Sequence, residues 1–130
     1  MQEKLHKLML AMIAYNSGDA KRIQHFIKVH ALAKLIGEEE KLDAKTLYIL
    51  EAAALTHDIG IRNSEKKYGT CTGKQQEVEG PPEAEKLLQS LGFGADVTER
   101  VCWLILPSPS GVYQSGSHIA QNAAKPPVSV

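Results

Sequence analysis

Apolar residues recur every three or four positions over the first third of the chain, and this spacing predicts two amphipathic helices. The first is predicted over residues 1–15 and the second over residues 20–36. Their expected core positions are Leu5, Leu8, Met9, Met12 and Ile13 in the first helix, and Ile23, Phe26, Ile27, Leu32 and Leu35 in the second. Asp19 is a suitable N-cap for the second helix, and Gly37 is expected to end it as a C′ residue.

A third helix is predicted to follow Asp43, which is again a suitable N-cap. Its apolar residues, which leave almost no polar face near the end of the helix, are Leu47, Leu50, Ala53, Ala54 and Leu55. A helix that is apolar nearly all round is buried on all sides, so we expect this one at the centre of the fold. Gly60 is expected to stop it.

Residues 59–80 have no periodicity and contain several glycines and charges, which predicts an irregular segment of the kind that is often functional. Pro81-Pro82 is expected to open a fourth helix over residues 83–91, and Asp96 to cap a fifth. The pattern therefore predicts an all-α bundle of about five helices over residues 1–106. Residues 107–130 hold four of the six prolines, five serines and one charge, so they are assigned to an irregular Pro/Ser-rich tail.

Bulk composition narrows the class of protein. The 130 residues fit one domain, and Lys+Arg and Asp+Glu number 15 each, so the net charge is zero. Nucleic acids and anionic membranes bind basic surfaces, so neither is expected as the main partner. No signal peptide or transmembrane span is recognisable. The two cysteines, Cys71 and Cys102, form no CxxC motif, and a reduced cytoplasmic protein is expected.

The strongest chemical feature is the pair His57-Asp58 at the end of the apolar third helix. Burying an imidazole and a carboxylate without partners is costly, and a metal ion that takes both as ligands removes that cost. Two further histidines, His25 and His30, lie on the predicted second helix. These two are five positions apart, a rotation of about 140° around the helix, so at most one faces the pair. His25 lies next to the apolar stripe and is the favoured ligand.

Two imidazoles and one carboxylate suit a divalent metal, with Fe, Mn, Ni, Zn or Mg all compatible, and leave coordination positions for water and substrate. A bound ion lowers the pKa of its water from about 15.7 towards 7. Asp58 is the candidate catalytic residue that orients this water. Arg22, one helical turn before His25, is a second candidate, because its guanidinium can bind a phosphate oxygen. A histidine satisfied within the core also fits this spacing, so the residues alone leave both interpretations open.

The order of these motifs resembles the HD superfamily of metal-dependent phosphohydrolases. The likeness begins with Arg22-Ile-Gln-His25 and resumes about thirty residues later with Ala-Ala-Leu-Thr-His57-Asp58-Ile-Gly60. It continues through residues 61–63, 67–69, 73–74 and 77–82. The pattern is that of small bacterial HDIG-type proteins, and it covers residues 19–106.

This resemblance implies an HD-domain helical bundle that hydrolyses a phosphate ester such as a nucleotide. It implies His25, His57 and Asp58 as the metal ligands. Lys74 and Glu79 are implied as candidates for substrate binding, although an exposed lysine and a helix-capping glutamate are the structural alternatives for these two.

The chain departs from the family pattern after residue 105. The family continues with a histidine-rich run and a later aspartate that supplies a fourth protein ligand, but here no aspartate follows Asp96 and the only later histidine is His118. His118 is therefore a substitute candidate ligand. One codon choice for residues 107–113, read one base further on, encodes His-His-His-Gln-Val-Tyr. The tail is accordingly interpreted as the product of a frameshift.

Loss of the distal helix removes a metal ligand and a wall of the bundle, so impaired hydrolysis and weaker metal retention are expected. A homo-oligomer that buries the exposed side of the third helix is also expected. Two alternatives remain for function. One is a non-catalytic HD module that binds a nucleotide or phosphate, and the other is a helical interaction protein with no such site.

Overall fold

A computed structural model describes residues 1–69 and 73–105. Six helices occupy most of these two ranges: α1 (Gln2–Tyr15), α2 (Ala20–Glu39), α3 (Ala44–Thr56), α4 (Gly60–Tyr68), α5 (Gly73–Ser90) and α6 (Ala95–Leu104). No strand is present in either range, so the predicted all-α bundle is confirmed. The predicted tail, with its frameshift interpretation, lies outside the described residues. None of the described helices is both long enough and apolar enough to cross a bilayer.

The third helix is central, as predicted. α3 packs against α1, α2 and α6, and every residue from 50 to 60 is buried. The end of α3 therefore leaves no exposed apolar face for a second subunit to cover. The oligomer was expected because the third helix would otherwise be exposed, and the structure removes this reason. The oligomer stays a prediction.

Asp19 and Asp43 cap α2 and α3, as predicted from their positions. Asp19 Oδ1 accepts from the backbone N–H of Arg22 at 3.1 Å, and Asp43 Oδ1 accepts from the backbone N–H of Thr46 at 2.7 Å. Hydrogen bonds to Thr46 stabilise the charged form and hold the pKa of the Asp43 carboxyl below its ordinary value. These caps fix where the two helices that carry the site begin.

The buried face of α2 differs from the prediction. Ile27, Leu32 and Leu35 were expected in the core, but their side chains are exposed. The buried residues of α2 are Phe26, Val29, Ala33 and Gly37. These four are spaced by three or four positions and form one line along the helix, which is the line that α3 covers. Ile27, Leu32 and Leu35 lie beside this line. They were expected in the core because they are large and apolar, but the helix packs through its smaller residues and Phe26.

Gly37 does not end α2, which continues to Glu39. A Cβ atom at this position would lie 2.8 Å from Cδ2 of Leu50 and 2.9 Å from Cδ1 of Leu47. The glycine is thus needed for the close approach of α2 to α3, and not for a left-handed C′ conformation. The predicted terminator is a packing residue.

The segment predicted to be irregular is largely helical. Gly60 begins α4 instead of ending α3, and Gly69 ends α4 in the left-handed conformation with φ 74°. α5 begins at Gly73 and runs through Pro81-Pro82, which were expected to open it. Proline commonly opens a helix, but α5 continues through both prolines, and it packs against α4 and α6. The bundle therefore has six described helices where about five were expected.

Asp96 is not the N-cap of the last helix. Gly94 occupies the N-cap of α6, and Asp96 lies in its first turn, where its Oδ2 is 2.7 Å from Nζ of Lys45. The lysine lowers the pKa of Asp96 through a hydrogen bond and its charge. The carboxylate therefore joins the start of α6 to the start of α3.

Candidate metal centre

The end of α3 is held by local hydrogen bonds, and this positions the corner that carries His57 and Asp58. Thr56 Oγ1 donates to the backbone carbonyl one turn earlier at 2.8 Å, and the Ile59 N–H donates to the Thr56 carbonyl at 3.0 Å. On the far side, Tyr15 OH donates to the Ile59 carbonyl at 3.3 Å. The turn between α3 and α4 is therefore tied to both its own helix and α1.

His25 on α2 converges with His57 and Asp58 at this corner. Asp58 Oδ2 lies 3.2 Å from Nε2 of His25 and 3.2 Å from Nε2 of His57. The two imidazole centroids are 5.5 Å apart, and one ligand atom from each residue lies within 4.8 Å of the others. Two ligand atoms that each lie about 2.1 Å from one ion are separated by about 3 Å or more. The structure thus brings together the three residues predicted as ligands, and the two 3.2 Å separations from the Asp58 oxygen are ones that a single ion can span.

The His57 ring is oriented by a backbone carbonyl. Its Nδ1 lies 2.8 Å from the carbonyl oxygen of Ala54, which can only accept, so Nδ1 carries a proton. In the neutral ring, Nε2 then presents its lone pair to the Asp58 carboxylate, which is itself an acceptor. A proton or a cation between Nε2 and Oδ2 is required to make this contact favourable. Metal-binding histidines commonly donate their other N–H to a carbonyl in this way.

The cluster of His25, His57 and Asp58 is closed on the α3 side and open on the α2 side. The side chains of His57 and Asp58 are 3% and 5% exposed, whereas that of His25 is 41% exposed. The solvent-accessible part of the cluster is therefore the His25 side chain. The arrangement combines a buried carboxylate with a solvent-accessible edge.

His30 lies outside the cluster. Its Nε2 is 3.0 Å from Oε1 of Glu51 on α3, and both side chains are largely buried. This pair joins α2 to α3 and satisfies a carboxylate that would otherwise be buried without a partner. Of the two α2 histidines, His25 lies at the His57-Asp58 corner and His30 does not.

Arg22 lies one turn before His25 on α2, as predicted, but its guanidinium has two carboxylate partners. Its Nη2 donates to Oε1 of Glu65 at 3.1 Å, and its Nε is 3.5 Å from Oδ2 of Asp19. The same side chain lines an open cavity of about 240 Å³ between the start of α2 and α4. Its predicted catalytic role stays a prediction.

Glu79 is buried within α5, so its alternative role as a helix cap is wrong. Both of its carboxylate oxygens accept from Lys67 Nζ at 3.1 Å, and Oε1 also accepts from Tyr68 OH at 3.3 Å. The Glu79 carboxylate raises the pKa of Lys67 through this hydrogen bond and its charge. These contacts join α4 to α5. The substrate-binding role of Glu79 is untested by them, and the side chain of Lys74 lies outside what the structure describes.

Cys102 is a poor candidate for a nucleophile. It is a free thiol, and burial, with a smaller effect of Glu85, raises its pKa to about 11. The raised pKa favours the protonated thiol at neutral pH, whereas nucleophilic attack needs the thiolate. Cys71 and His118 lie outside the described residues, so the predicted substitute ligand is not placed.

Sequence reasoning missed three residues near the site. Glu51 was not recognised as the partner of His30, and Arg62 and Glu65 were not recognised as neighbours of Arg22. The last two lie on α4, in the segment that was predicted to be irregular. Their spacing of three positions is the signal that a helical interpretation of residues 60–68 would have used.

Comparison with known proteins gave no match: no family model, no curated protein and no solved structure is significantly similar to this chain.

Proposed function

We propose that this chain is a metal-dependent phosphohydrolase of the HD type, acting on a phosphate ester such as a nucleotide. The observation that carries the proposal is the Asp58 oxygen shared at 3.2 Å by Nε2 of His25 and Nε2 of His57. The lone pair of His57 Nε2 faces the acceptor oxygen of Asp58, and a divalent cation bound between them could also take Nε2 of His25 as a ligand. The order of the motifs along the chain supports the same function.

His25, His57 and Asp58 would hold the ion, and their mixed nitrogen and oxygen atoms suit Fe, Mn, Ni, Zn or Mg. A divalent ion held there supplies a Lewis acid and a water of lowered pKa. Three groups that converge on one point support one ion in preference to two.

The chain's own residues would perform the remaining tasks. A carboxylate has about four lone-pair positions, so Asp58 can serve as a ligand and still orient an attacking water. Arg22 would offset the negative charge that develops on the phosphoryl oxygens. The exposed edge of His25 would give substrate its approach to the cluster.

A non-catalytic module that binds a nucleotide or phosphate is the second candidate. One observation favours it: the candidate metal cluster found among the described residues has three members. An ion with fewer protein ligands is held less firmly. Hydrolysis, which needs the ion, then falls before nucleotide or phosphate binding is lost. Reduced hydrolysis is therefore part of the leading proposal.

The proposed partner is a small phosphate ester, and the zero net charge favours neither nucleic acid nor an anionic membrane. A cytoplasmic location and a homo-oligomer are also proposed.

Turnover of p-nitrophenyl phosphate by the full chain separates the two candidates. We expect slow hydrolysis that appears when Mn²⁺ is added and disappears when a chelator is added in excess. Phosphate binding without any Mn²⁺-stimulated turnover would favour the binding module. A rate that is unaffected by the chelator would contradict a metal-dependent reaction, because the nucleophile would then not depend on the ion.

A further inference from the structure

The open cavity of about 240 Å³ beside the metal-ligand cluster is lined by two guanidinium groups and two carboxylates. The charged residues are Arg22 and Asp19 at the start of α2, and Arg62 and Glu65 on α4. The turn between α1 and α2 forms the rest of the lining. Such a cavity can accept an anion only if the arginines are held in place and at least one of the carboxylates can give way.

Arg62 is held at the cavity by the end of α1. Its Nη1 donates to the backbone carbonyl of Tyr15, and its guanidinium carbon lies 5.8 Å from the centroid of the Tyr15 ring. A hydrogen bond and a cation–π contact to one residue restrict the rotamers of an otherwise exposed arginine. The side chain is therefore oriented before any anion arrives, which lowers the entropy lost on binding.

Glu65 occupies the position that an anion would take on Arg22. Its Oε1 accepts from Arg22 Nη2 at 3.1 Å, and its side chain is 51% exposed. An ion pair this exposed to solvent is weak, so a phosphate with more charge and more acceptor oxygens can displace it. Asp19 differs, because it is held as the N-cap of α2 and stays where it is.

The cavity is connected to the cluster of His25, His57 and Asp58 along the chain. Arg22 precedes His25 by three positions on α2, and residues three apart on a helix lie on the same side. Arg62 lies in the first turn of α4, which directly follows the turn that carries Asp58, and the Ile61 N–H bonds to the Asp58 carbonyl at 3.1 Å.

We propose that this cavity binds the phosphoryl group of the substrate, with Arg62 as a second anion-binding residue and Glu65 as the carboxylate that the anion displaces. Once Glu65 is displaced, both guanidiniums can face the anion while Asp19 remains in place. The second negative charge of a phosphate monoester then adds attraction to them that a singly charged diester lacks. The inference deepens the proposed function and rests on it for the identity of the ligand, naming phosphate monoesters as the substrate class.

Binding of inorganic phosphate to the full chain tests the inference, measured by calorimetry at constant ionic strength. Arg62→Gln is expected to weaken binding about tenfold, the effect of losing one charge-assisted hydrogen-bonding group. Glu65→Gln is expected to strengthen it several-fold, because a competing carboxylate is removed. Lys66→Gln is the matched control, since it removes one positive charge from an exposed position of α4 that does not line the cavity, and it should bind as wild type does.

Phosphate affinity is expected to fall in Arg62→Gln and to rise in Glu65→Gln. General loss of structure would lower the affinity in both variants, so the two explanations can be distinguished. Dimethyl phosphate, a singly charged diester, should bind more weakly than inorganic phosphate. Arg62→Gln should reduce this difference in affinity between the two anions. Equal binding of the two anions, wild-type affinity in Arg62→Gln, or unchanged or weaker binding in Glu65→Gln would overturn the inference.

These binding results can be separated from those that test hydrolysis. The variants keep the same metal-ligand cluster, so any contribution of a bound ion is common to all of them. If turnover is absent but affinity changes as described, the anion site stands and hydrolysis fails. If Mn²⁺-dependent turnover is present but affinity is insensitive to positions 62 and 65, hydrolysis stands and the anion site fails.

Discussion

Replacing His57 with alanine is expected to lower Mn²⁺-dependent hydrolysis of p-nitrophenyl phosphate by at least about a thousandfold, because an ion can lower the pKa of its water by roughly nine units. His57 is buried, its ring is oriented by the Ala54 carbonyl, and its Nε2 lies 3.2 Å from the shared Asp58 oxygen. Its loss therefore leaves too few groups to hold the ion. Initial rates at saturating Mn²⁺ measure the effect.

The two histidines of α2 provide a matched pair for the same assay. His25→Gln removes a residue of the cluster, whereas His30→Gln removes an equivalent ring five positions along the same helix. Glutamine at position 30 can still donate to Glu51, so the buried pair is preserved. We expect a large loss of turnover at position 25 and a change of no more than a few-fold at position 30. Equal losses at both positions would indicate that the histidines act through stability and not through the cluster.

Phe26→Ala is expected to destabilise the chain by about 3–5 kcal/mol, as deletion of a buried phenylalanine commonly does. Phe26 is 1% exposed and lies in the line of residues that α2 buries. Removing its ring leaves a cavity under the helix that carries His25. The midpoint of urea unfolding, followed by circular dichroism, reports the change.

Ile27 is the control for this substitution, because it is the next residue on α2, is apolar, and is 36% exposed. Ile27→Ala should cost less than about 1 kcal/mol, as expected of substitutions at the surface. A loss at position 27 as large as that at position 26 would mean that the buried face of α2 has been assigned incorrectly.

Much of the fold could be predicted from apolar periodicity and capping. α1, the beginnings of α2 and α3, and the central position of α3 follow from regular spacing and from Asp19 and Asp43. These features depend on local chemistry, so a single sequence is sufficient to predict them.

The errors arose where packing decides. Gly37 was taken as a terminator because glycine favours that position, yet it lies inside α2 where α3 approaches closely. Pro81-Pro82 was taken as a helix start, yet α5 continues through it between two neighbouring helices. The periodicity of α4 spans only nine residues, which is too few for the pattern to be recognised.

The site residues likewise divide into those predictable from local pattern and those that depend on packing. His25, His57 and Asp58 could be selected from helical geometry and motif order, because each carries a distinctive side chain at a distinctive position. Arg62 and Glu65 could not, because their role depends on α4 being a helix that faces the start of α2. Charged residues in a segment without predicted structure give no indication of which neighbours they meet.

Elemental analysis of protein purified without chelator tests the central claim most directly. With three ligand groups converging on one point, wild type and His30→Gln are predicted to hold about one divalent ion per chain after equilibration with Mn²⁺, and His57→Ala close to none. Absence of metal from wild type, or the same metal content in His57→Ala, would contradict the account.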